Sequence, residues 1–255
     1  MARTRRAKPD EQLTLVEHLD ELRTRLIAVL VVFTLAAGIC FYKSEALLQF
    51  LAGPLPDNIQ KQGFLQTGPL DAILTSIAIS IYGALLLTLP IATYQLYAFV
   101  IPAFAVEHHK SVKPLLAMIP GLFIAGVIFA WYLVVPPALD FLFTYNADAF
   151  VQLPRAKDYI QFVMLTLLAM GIVFELPVVM LILARLRIVS SAFMRGNWRI
   201  SIVVLAVVAM LLPGVDPISF IVEFIPLLVL YGFSYFLVLM VERGREEEPD
   251  PEPLT

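Results

Sequence analysis

"ISIVVLAVVAMLLPGVDPISF", residues 200–220, decides how the chain is built. An apolar run from Ile200 to Leu212 stops at the turn "PGVDP", and a second run follows from Pro217 to Val241. The thirteen residues of the first run rise only ~20 Å as a helix, about 10 Å short of a hydrocarbon core of about 30 Å. The hairpin tip with Asp216 therefore either sits below the far surface of a membrane or thins the bilayer around itself.

That a membrane is the right setting follows from composition. Of 255 residues, 60% are hydrophobic and only 15% charged, and the mean hydropathy is +0.84, more apolar than a soluble domain can hide. Further apolar runs lie at Leu26–Tyr42, Ala72–Val106, Pro114–Leu139 and Tyr159–Ala184. Each of these four is long enough to cross, which makes six spans and an all-α integral membrane protein. The first run is not a cleavable signal peptide, because no small-residue cleavage site closes it. The single cysteine, Cys40, lies in an apolar run and reads as packing.

The formal net charge of -3 conceals a segregation. Fourteen of the eighteen Lys and Arg residues fall in the amino-terminal tail, the second and fourth loops and the carboxyl-terminal tail. The positive-inside rule then makes both termini cytoplasmic, as an even number of spans requires. This organisation divides the chain into a cytoplasmic tail (1–20), a six-helix membrane domain (21–241) and an acidic, proline-containing tail (242–255) that reads as disordered. Pro90, Pro102, Pro120, Pro136, Pro137, Pro177 and Pro226 lie in or at the ends of spans, where kinks bend helices into concave shapes.

The chemical inventory is thin. There is no Walker loop, HExxH, paired-cysteine or G-x-S-x-G arrangement, and His18, His108 and His109 lack a helical metal spacing. Neither an enzyme nor a cofactor or metal site is expected, and no nucleic-acid partner. What remains is polar residues in apolar places. Glu175 stands sixteen residues into the fourth run, deep in a bilayer; it either faces a wet or protein-lined cavity or is a protonated carboxyl bonded to a neighbouring helix. Glu223 is a second intramembrane acid. Asp216, before Pro217, suits an ordinary helix start.

On the cytoplasmic side, Glu17, Asp20 and Glu21 share one helical face, with Arg25 one turn beyond Glu21. Spacing alone supports mutual neutralisation through Glu21–Arg25 and Asp20–Arg23 pairs on a wet surface. Glu107 is the only acid of the second loop. Two acidic spots on one basic face suggest a cationic ligand.

"LVEHLDELRTRL", "LPIATYQLYAFVIPAFAVEHHK", "FVMLTLLAMGIVFELPVV" and "MLLPGVDPIS" occur in this order over about Leu15–Val241. Together they resemble the TatC family, the membrane receptor of the twin-arginine protein translocase. The resemblance implies six helices in a glove-like concave arrangement with the fifth and sixth short. It implies recognition of the arginine pair of signal peptides on folded cargo, and nucleation of a complex that the proton-motive force drives. Glu21 and Glu107 would hold the arginines, with Arg23, Gln95 and Phe99 adjoining. Glu175 matches the family's intramembrane acid, and Met210 and Asp216 fall where the single-span TatA- and TatB-like partners dock. Several copies would assemble within the translocase in the cytoplasmic membrane.

The sequence also departs from the family pattern. Pro213 and Phe220 replace polar residues around the turn, Asp71 stands where Glu is usual, and Gly232 stands where the sixth span often has Glu. Glu223 lies nine residues earlier, on the opposite helical face, and is not expected to substitute for it. A proton-coupled small-solute transporter would also explain Glu175 and Glu223, but not the acids outside the membrane. Arg5 and Arg6 form an arginine pair of their own, yet the acidic segment after them fits an orientation signal better than an export address.

Overall fold

The computed structural model describes residues 15–103, 112–145, 153–214 and 216–246. Among them no strand forms; a lone parallel bridge joins Leu65 to Arg155. The helices are α1 (Leu15–Tyr42), α2 (Ser44–Leu51), α3 (Asp57–Gln62), α4 (Asp71–Ala103), α5 (Val112–Phe129), α6 (Val135–Thr144), α7 (Ala156–Val173), α8 (Leu176–Arg185), α9 (Ser191–Gly196), α10 (Trp198–Leu211) and α11 (Pro217–Glu246). Five stretches are long and apolar enough to cross a membrane: His18–Tyr42, Asp71–Phe99, Met118–Thr144, Ala156–Arg185 and Pro217–Arg243. Trp198–Leu211 is apolar but short, rising about 21 Å.

The six expected apolar segments are thus present, five long and one short. The sixth differs from expectation: α11 has 30 residues and is not short. Its length follows from its own sequence. The apolar run leads into Glu242, Arg243, Arg245 and Glu246, all but Gly244 good helix formers, and no proline lies between Val241 and Glu246 to stop it. Residues 242–246, expected to be irregular, are therefore helical, while 247–255 lie outside the described residues. Likewise α1 already begins at Leu15, within the stretch read as tail.

Prolines place the breaks. Pro136 and Pro137 open α6 directly after a five-residue π-helical turn, Ala130–Val134. A proline has no N–H and its ring collides with the carbonyl four residues earlier, and a widened turn relieves that clash. Pro177 acts on the carbonyl of Val173, and α7 ends at that residue. The chain turns through Phe174 and Glu175 and resumes as α8.

Helix α7 is the central element. Its side chains Ile160, Val163, Met164, Leu167 and Met170 enter a core shared with α2, α4, the π turn, α10 and α11. Tyr159 donates a buried 2.5 Å hydrogen bond to the Leu51 carbonyl, pinning α2 to α7. Helix α1 is peripheral: Leu26, Leu30, Val31, Leu35 and Ile39 are exposed on its outer side, as lipid-facing positions are. Two glycines allow α5 and α7 to cross closely. A Cβ on Gly126 would lie 2.6 Å from the Met170 carbonyl oxygen, and one on Gly171 would lie 2.7 Å from the Phe123 ring. Small residues at such crossings gain packing and close backbone approach where lipid supplies no hydrophobic drive.

The α10–α11 hairpin tip is seated against the middle of α7. The Thr166 hydroxyl, bonded to the Phe162 carbonyl at 2.9 Å, also reaches the Pro213 carbonyl at 3.5 Å. Thr166 lies ten residues into α7, so the tip sits about 15 Å from the start of that helix. The tip thus packs against the middle of its neighbour, well short of that helix's end.

Replacing Gly171 by Leu is expected to lower stability by about 1–3 kcal/mol through overpacking. Thermal unfolding of the detergent-solubilised protein checks this, with Gly121→Leu, at a glycine with open space around it, as the control that moves little.

Candidate functional site

Two helical faces meet where α1 begins and α4 ends. On α1, His18, Glu21 and Arg25 are spaced three and four residues apart and so share a face; on α4, Gln95 and Phe99 do the same. Because the helices run antiparallel here, His18 meets Phe99 and Arg25 meets Gln95. The His18 and Phe99 rings stack at 4.0 Å with planes 8° apart. Arg25 donates from Nη1 to Gln95 Oε1 at 2.6 Å. From Nε and Nη2 it donates to one oxygen of Glu21, Oε1, at 3.0 and 2.6 Å. His18 Nδ1 stands 3.9 Å from the other oxygen, Oε2.

Of the residues expected to form a peptide site, the fold therefore brings Glu21, Gln95 and Phe99 together. Arg23 is exposed, and among the described residues it forms no ion pair with Asp20. Glu107 lies outside the described residues. The expected Glu21–Arg25 pair is present, with side chains 34% and 25% exposed. Arg25 and His18 complete the cluster, although neither was singled out from sequence as a site residue. Their spacing from Glu21 was visible; their partners, seventy or more positions away, were not.

Two carboxyls are buried without partners. Glu175 stands at the start of α8, at the Pro177 break, without a side-chain capping bond; it is 4% exposed, and neither carboxyl oxygen has a hydrogen-bond partner among the described residues. The expected alternative of a bond to a neighbouring helix is thus not observed. Tyr97 of α4 lies within electrostatic reach. Glu223 is fully buried and equally unpartnered, with Asp216 within electrostatic reach. Gly232 is exposed, so the two positions face opposite ways, as the nine-residue offset requires.

Asp216 serves the hairpin. Its Oδ1 accepts from the backbone N–H groups of Ile218 and Ser219 at 3.1 and 2.8 Å, and the Ser219 hydroxyl donates to Oδ2. The free donors of a helix start are satisfied within the chain, as apolar surroundings demand. Gly214 is needed beside it: its φ is +148°, and a Cβ would lie 2.7 Å from that of Ser219. Met210, by contrast, is 68% exposed on α10, next to Val203, Val207 and Leu211 on an apolar surface. Asp71 is likewise structural, accepting from Thr67 N, Thr67 Oγ1 and Gly68 N. It borders a cavity of about 440 Å³ between α2 and the starts of α4 and α7, at the opposite end of α4 from Gln95.

Long apolar helices around a central broken one, a short hairpin with an internally capped tip, and a polar cluster at one end define a polytopic helical membrane protein. A family model described as Sec-independent protein translocase protein (TatC) matches residues 17–226. The Sec-independent protein translocase protein TatC of Magnetococcus marinus is 31% identical over 244 residues, spanning 95% of this chain and 90% of that protein. An uncharacterized tatC-like protein, ycf43, of Porphyra purpurea is 34% identical over 235 residues, spanning 92% and 91%. A crystal structure of the twin arginine translocase receptor TatC superimposes with a TM-score of 0.75 at 29% identity, covering 89% of this chain and all of that one. The chain belongs to the TatC family, and it is a membrane component of Sec-independent, twin-arginine protein translocation.

Replacing Glu175 or Glu223 by Leu is expected to leave the unfolding midpoint in detergent unchanged or higher, because each carboxyl is desolvated without a compensating bond; a clear drop would reveal a partner. Asp216→Ala is expected to lose about 0.5–2 kcal/mol with the cap, and Asp216→Asn much less. Comparing the two unfolding midpoints tests the assignment.

Proposed function

We propose that this chain is the signal-peptide receptor of its translocase: it binds the arginine pair at the head of signal peptides on folded cargo and nucleates the translocation complex. The observation that carries this reading is that Glu21 already holds a guanidinium, that of Arg25, at 2.6 Å, beside an aromatic stack and an amide. A carboxylate accepts guanidinium donors with a planar match that an ammonium cannot reproduce, so such a site favours Arg over Lys. Arg23 adds positive charge at the rim, and Glu107 supplies the second carboxylate. The distribution of Lys and Arg supports placing this end, with both termini, on the cytoplasmic face of the cytoplasmic membrane.

TatA- and TatB-like single-span proteins are the proposed partners, docking on the exposed apolar side of α10 around Met210 and the Asp216 turn, with several copies of the chain assembling in one translocase. Glu175 contributes a polar point along the surface where the apolar part of the signal peptide lies, and the proton-motive force supplies the energy.

The test is crosslinking, in membranes, of a signal peptide bearing Arg-Arg or Lys-Lys to the protein carrying Glu21→Gln, Glu107→Gln or neither. Strong crosslinking is expected only for Arg-Arg with both acids present. Equal crosslinking in every combination would sink the receptor reading.

A further inference from the structure

The geometry points to Arg25 as a built-in competitor for the arginine site: its own guanidinium occupies Glu21, and an incoming arginine must share or displace it. This inference rests on the receptor reading of Glu21. A carboxylate offers about four lone-pair positions, two on each oxygen. Arg25 places both of its Glu21-directed donors on Oε1, at 3.0 and 2.6 Å. Both positions on that oxygen are filled, while Oε2 has only His18 Nδ1 at 3.9 Å. An arriving guanidinium can therefore meet Oε2 alone, and the side-by-side fork across both oxygens opens only when Arg25 leaves. Such a fork is the stronger and more selective mode.

Arg25 is held, yet not locked. Its Nη1 donates to Gln95 on α4 at 2.6 Å, which keeps the guanidinium in register across the two helices. The pair is about one-quarter to one-third exposed, and a wet i,i+4 ion pair is weak. Displacement is therefore within reach of a ligand that presents two guanidinium groups and binds elsewhere as well. A ligand offering ammonium groups gains less per contact and faces the same resident competitor. Arg25 in this way sets a threshold that every cationic ligand must meet, and a guanidinium that displaces it gains the fork in return.

The competitor reading fixes the sign of the Arg25→Gln effect. Removing the resident guanidinium leaves Glu21 open and its charge uncompensated, so Arg-Arg peptides should bind more tightly, by roughly two- to fivefold. Lys-Lys peptides should gain less, because an ammonium cannot use the fork that opens, and the ratio between them should widen. Arg25→Lys keeps the charge but cannot bond Glu21 and Gln95 together in a fixed fork, so it should fall between wild type and Arg25→Gln.

The experiment measures equilibrium binding of fluorescent synthetic signal peptides, Arg-Arg and Lys-Lys versions, to the full chain in lipid nanodiscs, for wild type, Arg25→Gln, Arg25→Lys and Glu21→Gln. Thermal unfolding confirms that each variant is folded; a misfolded Arg25→Gln leaves Arg25→Lys to decide. If Glu21→Gln binds Arg-Arg peptides as wild type does, the receptor reading itself fails. If Glu21→Gln loses binding and the Arg25 variants bind both peptides more weakly or unchanged, Arg25 merely orients Glu21, and the competitor inference is overturned.

Discussion

The close crossing of α5 over α7, through Gly126 and Gly171, is the contact on which the rest of the structure depends. In lipid, helices gain little from hiding apolar surface against each other, so association relies on packing density and on polar groups that find partners inside the protein. Once α7 is held at the centre, the other elements take their positions from it. The Tyr159 hydroxyl fastens α2, Thr166 meets the hairpin tip, and Met170 packs beneath Gly126. A helix with residues as polar as Thr166 can occupy the middle of the molecule because its hydroxyl bonds back to the Phe162 carbonyl.

The same requirement explains the short hairpin. A helix of fourteen residues cannot cross a full bilayer, and its turn would otherwise carry unsatisfied backbone groups into an apolar region. The chain meets this by capping the turn from within: Asp216 takes the donors of Ile218 and Ser219, and Gly214 supplies the left-handed backbone that lets the tip close. Against that economy, Glu175 and Glu223 stand out, since buried carboxyls without bonds work against stability. Glu175 sits where Pro177 interrupts the helix, so its position comes from backbone chemistry as much as from its own charge.

At the start of α1 the balance is different. Glu21, Arg25 and Gln95 are partly wet, their bonds are individually modest, and the aromatic stack of His18 on Phe99 gives them a floor. A loosely satisfied, charge-bearing cluster can exchange one partner for another, whereas the capped turn at Asp216 cannot without losing its helix start. The exchangeable, partly wet cluster and the structural cap thus lie at separate places in the same chain.

The apolar runs alone determined the membrane setting, the number of segments and the short fifth helix, because bilayer thickness and helix rise convert residue counts directly into length. Pro136, Pro137 and Pro177 fall at the breaks, since a missing N–H acts locally, whereas α4, α5 and α11 run on through Pro90, Pro120 and Pro226. The start of α11 at Pro217 was legible from the Asp-Pro turn; its length was not foreseen, since it came from the helix-forming residues beyond Val241 rather than from the apolar run. Glu21 and Gln95 were marked by a family resemblance, while Arg25 looked like an ordinary neighbour of Glu21. Only the tertiary structure decided that Arg25 also reaches Gln95, that His18 lies on Phe99, and that the hairpin tip rests against Thr166. Each of these joins residues tens of positions apart, and only the docking of one helix on another brings such residues within bonding distance.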